Sequence, residues 1–246
     1  MIETTIDVPT PDGVMATRTF HPGGGKRHPA VIFFMDGVGV RETLFVMARR
    51  LASRGYFVAL PNLFHRAGPF RPFTGATVFT DPVERERVKA LIADVTPPRV
   101  AMDTAAVLEL LDREPAADAR RIGTVGYCMG GGPALAAAGR FPDRLAAAAS
   151  YHGGRLATDH AESPHVMAAR ARCPLYIGYA ENDASFPEEQ RQRLETALTS
   201  AGVRFTMELY QAAHGFAVPD LPAFNQAAAD RHWETMLALF GEALGA

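Results

Sequence analysis

Apolar residues in this chain form short continuous runs that alternate with segments of helical spacing. Such runs are typical of strands buried on both faces of a parallel sheet. They predict strands over residues 30–35, 56–61, 120–127, 144–151, 173–180 and 203–210. Between the strands, the spacing of Leu44, Met47, Ala48 and Leu51 predicts a helix closed by Gly55. Similar patterns predict helices over 83–93, 98–113, 129–140, 187–201 and about 222–244.

Strands that alternate with helices predict an α/β fold with a mostly parallel central sheet and helices on both faces. The first segments differ, because residues 4–9 and 14–20 flank the turn signal Pro11-Asp12-Gly13 and predict an antiparallel hairpin. No repeat or low-complexity tract interrupts the chain, so we interpret residues 1–246 as one domain. Ligands in such sheets bind beyond the carboxyl ends of the strands, and the long loop 62–80 is a candidate for a functional loop.

Composition excludes several classes of function. Lys and Arg total 25 against 27 Asp and Glu, a net charge of -2, so we expect neither nucleic acid nor an anionic membrane as partner. No uninterrupted apolar stretch is long enough to span a bilayer, and the N-terminus lacks the basic start and apolar core of a signal peptide. Two cysteines are too few for a disulfide scaffold, which favours a reducing cytoplasm.

One cysteine lies in a motif that carries chemistry. Gly126-Tyr127-Cys128-Met129-Gly130 ends a predicted strand and begins a predicted helix, which is the G-x-S-x-G turn of α/β-hydrolases with Cys in place of Ser. The glycines leave room for neighbouring backbone at a sharp turn. The helix start favours a thiolate and offers the Met129 N–H to a developing oxyanion. We therefore predict that Cys128 is a nucleophile; the alternative is a buried cysteine that fills space in the core.

A nucleophile needs a base, and the base needs a group that orients it. In α/β-hydrolases the acid and the histidine follow the nucleophile along the chain, each after a strand. Asp183 and His214 hold such positions, so we predict His214 as base and Asp183 as its orienting acid. His152, which also follows a predicted strand, is the main alternative base, and Glu181 is close enough to replace Asp183.

The remaining motifs indicate neither a metal nor a cofactor. His160 and His165 have no partners at zinc-site spacing, and no HExxH motif is present. Gly23-Gly24-Gly25 precedes a strand instead of following one, so it does not predict a phosphate-binding loop.

With its three candidate residues in this order, the chain resembles the dienelactone hydrolase family. The resemblance includes Phe34-Met35-Asp36-Gly37, Arg41-Glu42, the segment 54–63 and His214-Gly215-Phe216. It implies an α/β-hydrolase fold, a cytoplasmic monomer or weak dimer without cofactor, and lactone opening through an acyl-cysteine. It also implies that the Gly37 and Met129 N–H groups form the oxyanion hole. Asp36 stands where the family usually has a Glu that holds the resting thiol and takes its proton.

The resemblance departs at the substrate-binding positions. The family has a basic residue four positions after the histidine that grips a substrate carboxylate, and this chain has Val218 there. Arg85, Arg87 or Arg99 are alternative sources of that charge. We expect Tyr151, His152 and Phe216 to contact the substrate. The phenylalanines at 64, 70, 73 and 79 favour packing over substrate contact, although they also suit a neutral ester, lactone or thioester.

We therefore interpret the protein as a hydrolase of a small carboxylic ester or lactone with a Cys128, His214 and Asp183 triad. Two alternatives remain open. One is thioester hydrolysis or acyl transfer on the same fold. The other is a non-enzymatic protein that binds a small molecule or senses oxidants through its thiol.

Overall fold

The computed structural model describes residues 1–245 and contains one eight-stranded sheet. Its strands are β1 Ile2–Thr10, β2 Gly13–His21, β3 His28–Phe34, β4 Phe57–Pro61, β5 Ala117–Tyr127, β6 Leu145–Tyr151, β7 Leu175–Ala180 and β8 Phe205–Tyr210. Their order across the sheet is β1-β2-β4-β3-β5-β6-β7-β8. The hairpin of β1 and β2 is antiparallel, β2 pairs antiparallel with β4, and the other pairs are parallel. This topology confirms the predicted fold class.

Helices cover both faces of the sheet. They are α1 Glu42–Ala52, α2 Pro82–Asp94, α3 Pro97–Arg113, α4 Gly131–Arg140, α5 Pro164–Ala168, α6 Glu188–Ser200 and α7 Gln226–Leu244. Adjacent residues of β5 identify the two layers, because successive strand residues point to opposite faces. A Cβ on Gly123 would lie 3.0 Å from Phe240 in α7, whereas the Thr124 hydroxyl donates to the Ala134 carbonyl in α4 at 2.9 Å.

The last helix is shorter than the sequence pattern predicts. It begins at Gln226 instead of near residue 222, because the Asn225 side chain accepts a hydrogen bond from the Ala228 N–H at 3.0 Å and caps it there. The residues between His214 and this cap form turns that stay beside the carboxyl ends of the strands. The five-residue α5 is absent from the sequence prediction, since it is too short to show a helical period.

A small apolar cluster, separate from the main core, covers part of this end of the sheet. It contains Val38, Phe73, Val78 and Val88, with Ile92 and Leu221 packed against it. The cluster therefore joins the loop after β3 to residues 73–92. No helix within residues 1–245 has the length and apolar character needed to cross a bilayer.

Candidate active site

Cys128 lies at the turn between β5 and α4 in strained backbone. Its φ is 52°, in the left-handed region that residues with a side chain rarely adopt. The 3-10 turn Cys128–Gly130 follows the strand directly and leads into α4. The first N–H groups of such a helical start lack acceptors within the helix, so they are available around the sulfur.

The glycines around Cys128 are required by close backbone contacts. A Cβ on Gly126 would lie 1.9 Å from the Gly130 carbonyl oxygen. A Cβ on Gly130 would lie 2.5 Å from the Met35 carbonyl oxygen, at the end of β3. The turn can therefore pack against the neighbouring strand only because these positions have no side chain.

The structure brings Cys128, His214 and Asp183 together at the ends of three strands. His214 Nε2 lies 3.0 Å from the Cys128 Sγ, and His214 Nδ1 lies 2.7 Å from Asp183 Oδ2. The Asp183 side chain is almost fully buried, whereas the His214 side chain is 30% exposed. These contacts are made by His214 and not by the alternative base His152. The acid in contact with the ring is Asp183 and not Glu181.

Burial and hydrogen bonding act on His214 in opposite directions. Burial alone would lower its pKa, but the hydrogen bonds to Asp183 and Cys128 raise the pKa to about 10. Burial would raise the pKa of Asp183, and the hydrogen bond from His214 lowers it below its usual value. Both directions favour a protonated imidazole beside an ionised carboxylate, which suits a ring that receives a proton from the sulfur.

Ser185 is a further member of this group that the sequence analysis missed. Its hydroxyl donates to Asp183 Oδ1 at 2.6 Å, its N–H donates to the same oxygen at 2.8 Å, and the hydroxyl lies 3.2 Å from His214 Nδ1. The Asp-x-Ser spacing after β7 is the signal that could have identified it, because Asp side chains commonly accept from the N–H two residues later.

A cavity of about 320 Å³ opens above the sulfur. Cys128, His214, Asp36 and Gly37 lie at its inner end. Its other walls are apolar and come from Val38, Phe79, Ile92, Leu221, Pro222 and Ala223. A Cβ on Gly37 would lie 3.9 Å from the Met129 Cβ, so the two residues expected to form the oxyanion hole are neighbours beside the sulfur.

The Asp36 carboxylate forms its hydrogen bonds with an arginine and not with the thiol. Its carboxylate accepts from Arg41 at 2.7 and 2.9 Å and from the Val38 N–H at 2.9 Å. The sulfur makes its hydrogen bond with His214. We expected Asp36 to hold the resting thiol, and the observed contacts differ from this expectation. The reason is that both oxygens of the short side chain accept hydrogen bonds from the guanidinium.

The three residues expected to contact the substrate lie behind the site. Tyr151, His152 and Phe216 are fully buried, and none of them lines the cavity. The Tyr151 hydroxyl pairs with that of Thr235 at 2.9 Å. The His152 ring packs 5.3 Å from the His214 ring and 5.0 Å from that of Phe216. The expectation that these side chains line the substrate cavity therefore differs from the structure, in which all three are buried in the core and only His152 packs against the imidazole.

The arginines considered as substrate ligands are also outside the cavity wall. Arg85, Arg87 and Arg99 pair with Glu86, Glu84 and Asp94 respectively. Val218 is fully buried. The expectation that one of these arginines supplies a charge to the substrate therefore has no support in the cavity lining.

Asp12, His65 and Asp103 form the one group within residues 1–245 whose ligand atoms are close enough to hold a metal ion. Arg66 donates to both carboxylates of this group, at 2.6 to 2.9 Å. The guanidinium therefore supplies the positive charge that a bound cation would bring. None of its three residues lines the cavity.

Comparison with known proteins finds a family whose sequence model matches most of the chain. The sequence model of the dienelactone hydrolase family matches residues 15–244. A Methylorubrum extorquens protein, provisionally named carboxymethylenebutenolidase, is 26% identical over 96% of this chain and 79% of its own. A Salmonella typhi protein of the same provisional name is 28% identical over 87% of this chain and 77% of its own. A crystal structure from Klebsiella pneumoniae, provisionally described as a dienelactone hydrolase, superposes with a TM-score of 0.84 at 25% identity, covering 98% of both chains.

Proposed function

Because this chain belongs to the dienelactone hydrolase family, we propose that it hydrolyses a small carboxylic ester or lactone through an acyl-cysteine intermediate. The observation that carries the proposal is the 3.0 Å contact between the Cys128 sulfur and His214 Nε2 at the inner end of the cavity. A thiol in contact with an oriented imidazole is the arrangement that nucleophilic catalysis requires.

In the first half of the reaction, the Cys128 sulfur attacks the carbonyl carbon of the substrate, and the thiol proton passes to His214 Nε2. The carbonyl π electrons move to oxygen and form an oxyanion. When the carbonyl reforms, the C–O bond to the alcohol breaks and the imidazolium returns the proton to the alcohol oxygen. A lactone keeps its alcohol on the acyl chain, whereas an ester releases it.

In the second half, His214 takes a proton from water and the resulting hydroxide attacks the thioester carbon. The C–S bond then breaks, the sulfur recovers the proton, and a carboxylic acid leaves. Because a thiolate is a good leaving group, this route suits esters and lactones better than amides. Asp183 holds the ring in the orientation for both transfers and stabilises its protonated form.

In this proposal the Gly37 and Met129 N–H groups stabilise the oxyanion of both steps. Within residues 1–245 the Gly37 N–H donates to no other protein atom, and the Met129 N–H lies in the first turn after the strand. One such donor typically lowers the barrier by about 3 to 4 kcal/mol. The strained φ of Cys128 supports this role, since the residue lies directly before Met129 at the start of the turn that leads into α4.

A panel of aryl esters and small lactones tests the proposal. Wild-type protein should hydrolyse at least one class, and Cys128→Ala should lose the activity. Cys173→Ala is the matched control, because Cys173 is buried and does not line the cavity, so this variant should keep the activity. Hydrolysis that survives in Cys128→Ala would contradict the proposed mechanism.

A further inference from the structure

Arg41 lies between two carboxylates beside the cavity, and they accept four hydrogen bonds from it. Its Nε and Nη2 donate to Asp220 at 2.7 and 2.8 Å, and Nη1 and Nη2 donate to Asp36 at 2.7 and 2.9 Å. The remaining Nη1 hydrogen reaches the Gly39 carbonyl at 3.0 Å. A guanidinium has five N–H donors, so none is left for a substrate anion.

This group of Asp36, Arg41 and Asp220 combines two carboxylates with one guanidinium, which leaves one net negative charge. Hydrogen bonds from Arg41 lower the pKa of Asp220 despite burial, which acts in the opposite direction. Asp36 is 1% exposed and lines the cavity. The uncompensated charge therefore lies at the wall of the space that the acyl group must enter.

Three segments enclose the group and limit its contact with water. Asp36 follows β3, Asp220 lies in the loop after His214, and a Cβ on Gly75 would come within 2.8 Å of Asp220 Oδ2. The Asp36 and Arg41 side chains are 1% and 10% exposed, and Asp220, at the outer end of the group, is 30% exposed. Charges in such a setting are screened much less than charges on an open surface.

Among residues 1–245, the one cationic group that lines the cavity is His214, and its charge is paired with the Asp183 carboxylate at 2.7 Å. The other walls of the cavity are apolar, and neither Lys nor Arg is among the residues that line it. A second carboxylate on the substrate would lose its hydration in this space and meet a net negative charge.

We propose that this group selects uncharged acyl groups, and that Asp220 and Asp36 are the residues that exclude substrates with a carboxylate on the acyl chain. The inference rests on the proposed ester cleavage for its substrates. The charge itself acts on any reagent that approaches the sulfur, so one arm of the test requires no turnover.

Three esters with the same acyl chain length separate charge from polarity: 4-nitrophenyl hexanoate, methyl 4-nitrophenyl adipate and mono-4-nitrophenyl adipate. The first two are neutral, and the third has a carboxylate. Wild-type protein should cleave both neutral esters with kcat/KM at least about tenfold above that of the acid. Equal values for the acid and the neutral esters would overturn the proposal.

Asp220→Asn removes one negative charge and keeps the shape of the side chain. It should lower the ratio of kcat/KM for the neutral esters to kcat/KM for the acidic ester by about tenfold. Asp36→Asn removes the same charge from the other side of Arg41 and should act in the same direction. Asp12→Asn is the matched control, because Arg66 joins Asp12 and Asp103 in the same way at a site that does not line the cavity. The control should leave this ratio of kcat/KM values unchanged. If Asp220→Asn and Asp36→Asn also leave it unchanged, the proposal is overturned.

The rate of alkylation of Cys128 reports the effect of the same charge in an experiment that requires no hydrolysis. Iodoacetamide is neutral and iodoacetate is an anion of similar size, so the ratio of their rates reports the potential at the sulfur. The effect of His214 on this ratio is common to all variants and cancels between them. Asp220→Asn should raise the iodoacetate-to-iodoacetamide ratio about tenfold over wild type, and Asp12→Asn should not. If no ester is cleaved, the proposed function fails; an unchanged ratio in Asp220→Asn instead rejects the charge selection.

Discussion

At Cys128, backbone strain and a hydrogen-bonded imidazole act on the same sulfur atom. The φ of Cys128 is 52°, in the left-handed region, and His214 Nε2 lies 3.0 Å from its sulfur. Behind His214, Asp183 and Ser185 form two hydrogen bonds with each other, which fix the carboxylate before it orients the ring. The reactive geometry thus depends on a serine that does not touch the sulfur.

Replacement of Ser185 by Ala should lower kcat about tenfold and leave KM for the same ester nearly unchanged, because Asp183 would lose the hydroxyl that fixes it; hydrogen-bond partners behind metal ligands have effects of this size. Ser185→Thr, which retains the hydroxyl, should restore most of the rate. The measurement is steady-state hydrolysis of a 4-nitrophenyl ester across pH.

Ser163→Ala is the control, since Ser163 is buried and also contacts a histidine, His165 at 2.9 Å, away from the cavity. Ser185→Ala with wild-type kcat would show that Asp183 needs no such support.

Local motifs predicted part of the site, and long-range contacts account for the rest. Cys128, Asp183 and His214 each follow a strand, which is a pattern visible along the chain. The contact of Arg41 with Asp220 joins residues 179 positions apart, and no local pattern encodes it. For the same reason the sequence indicated neither that Asp36 is held by Arg41 nor that Tyr151 and Phe216 are turned into the core.

At the scale of the elements, the junction of β5 and α4 cannot accept side chains at its glycine positions. Gly126, Gly130 and Gly131 lie where any Cβ would come within 2.6 Å of neighbouring atoms. These contacts let β5, β3 and the start of α4 approach closely enough to expose one sulfur between them. The sequence predicted this element well, because its glycine spacing and its flanking strand and helix are local.

Gly126→Ala should reduce the free energy of unfolding by about 3 kcal/mol or more, as expected for overpacking against backbone that cannot rotate away. Urea denaturation monitored by circular dichroism measures the change. Gly241→Ala is the matched control, since Gly241 lies in α7 with no atom within 4 Å of an added Cβ. The control should be neutral or stabilising by about 0.5 to 1 kcal/mol, and equal losses in both variants would contradict the close packing at Gly126.

At the scale of the whole molecule, α7 closes one face of the sheet and buries a neutral histidine. His232 Nδ1 donates to the Ala229 carbonyl at 2.9 Å, and its Nε2 accepts from the Tyr127 hydroxyl at 2.8 Å. Burial lowers the pKa of His232 to about 3. The sequence predicted the helix but gave no sign of this burial, which depends on how α7 packs against β5.

This histidine makes stability depend on pH in the acidic range. The unfolded chain binds a proton near pH 6.5 and the folded chain does not, so stability falls as pH decreases from about 6.5 toward 3. The contribution should reach about 2 kcal/mol at pH 5.

His232→Phe should lower the free energy of unfolding at pH 7.5, and it should reduce the loss of this free energy between pH 7.5 and 5 in urea titrations. His160→Gln, at an exposed position, should leave the loss unchanged; a loss that His232→Phe does not alter would contradict the burial of a neutral ring.

The central claim, that Cys128 carries the acyl group, is tested most directly by rapid acid quench of the wild-type reaction with 4-nitrophenyl acetate, followed by peptide mass spectrometry. An acetyl group should appear on the peptide that contains Cys128 during turnover, and the peptide that contains Cys173 should stay unmodified, since burial raises the pKa of that thiol to about 11. Rapid turnover with Cys128 unmodified at every quench time, and with full activity in Cys128→Ala, would contradict the claim.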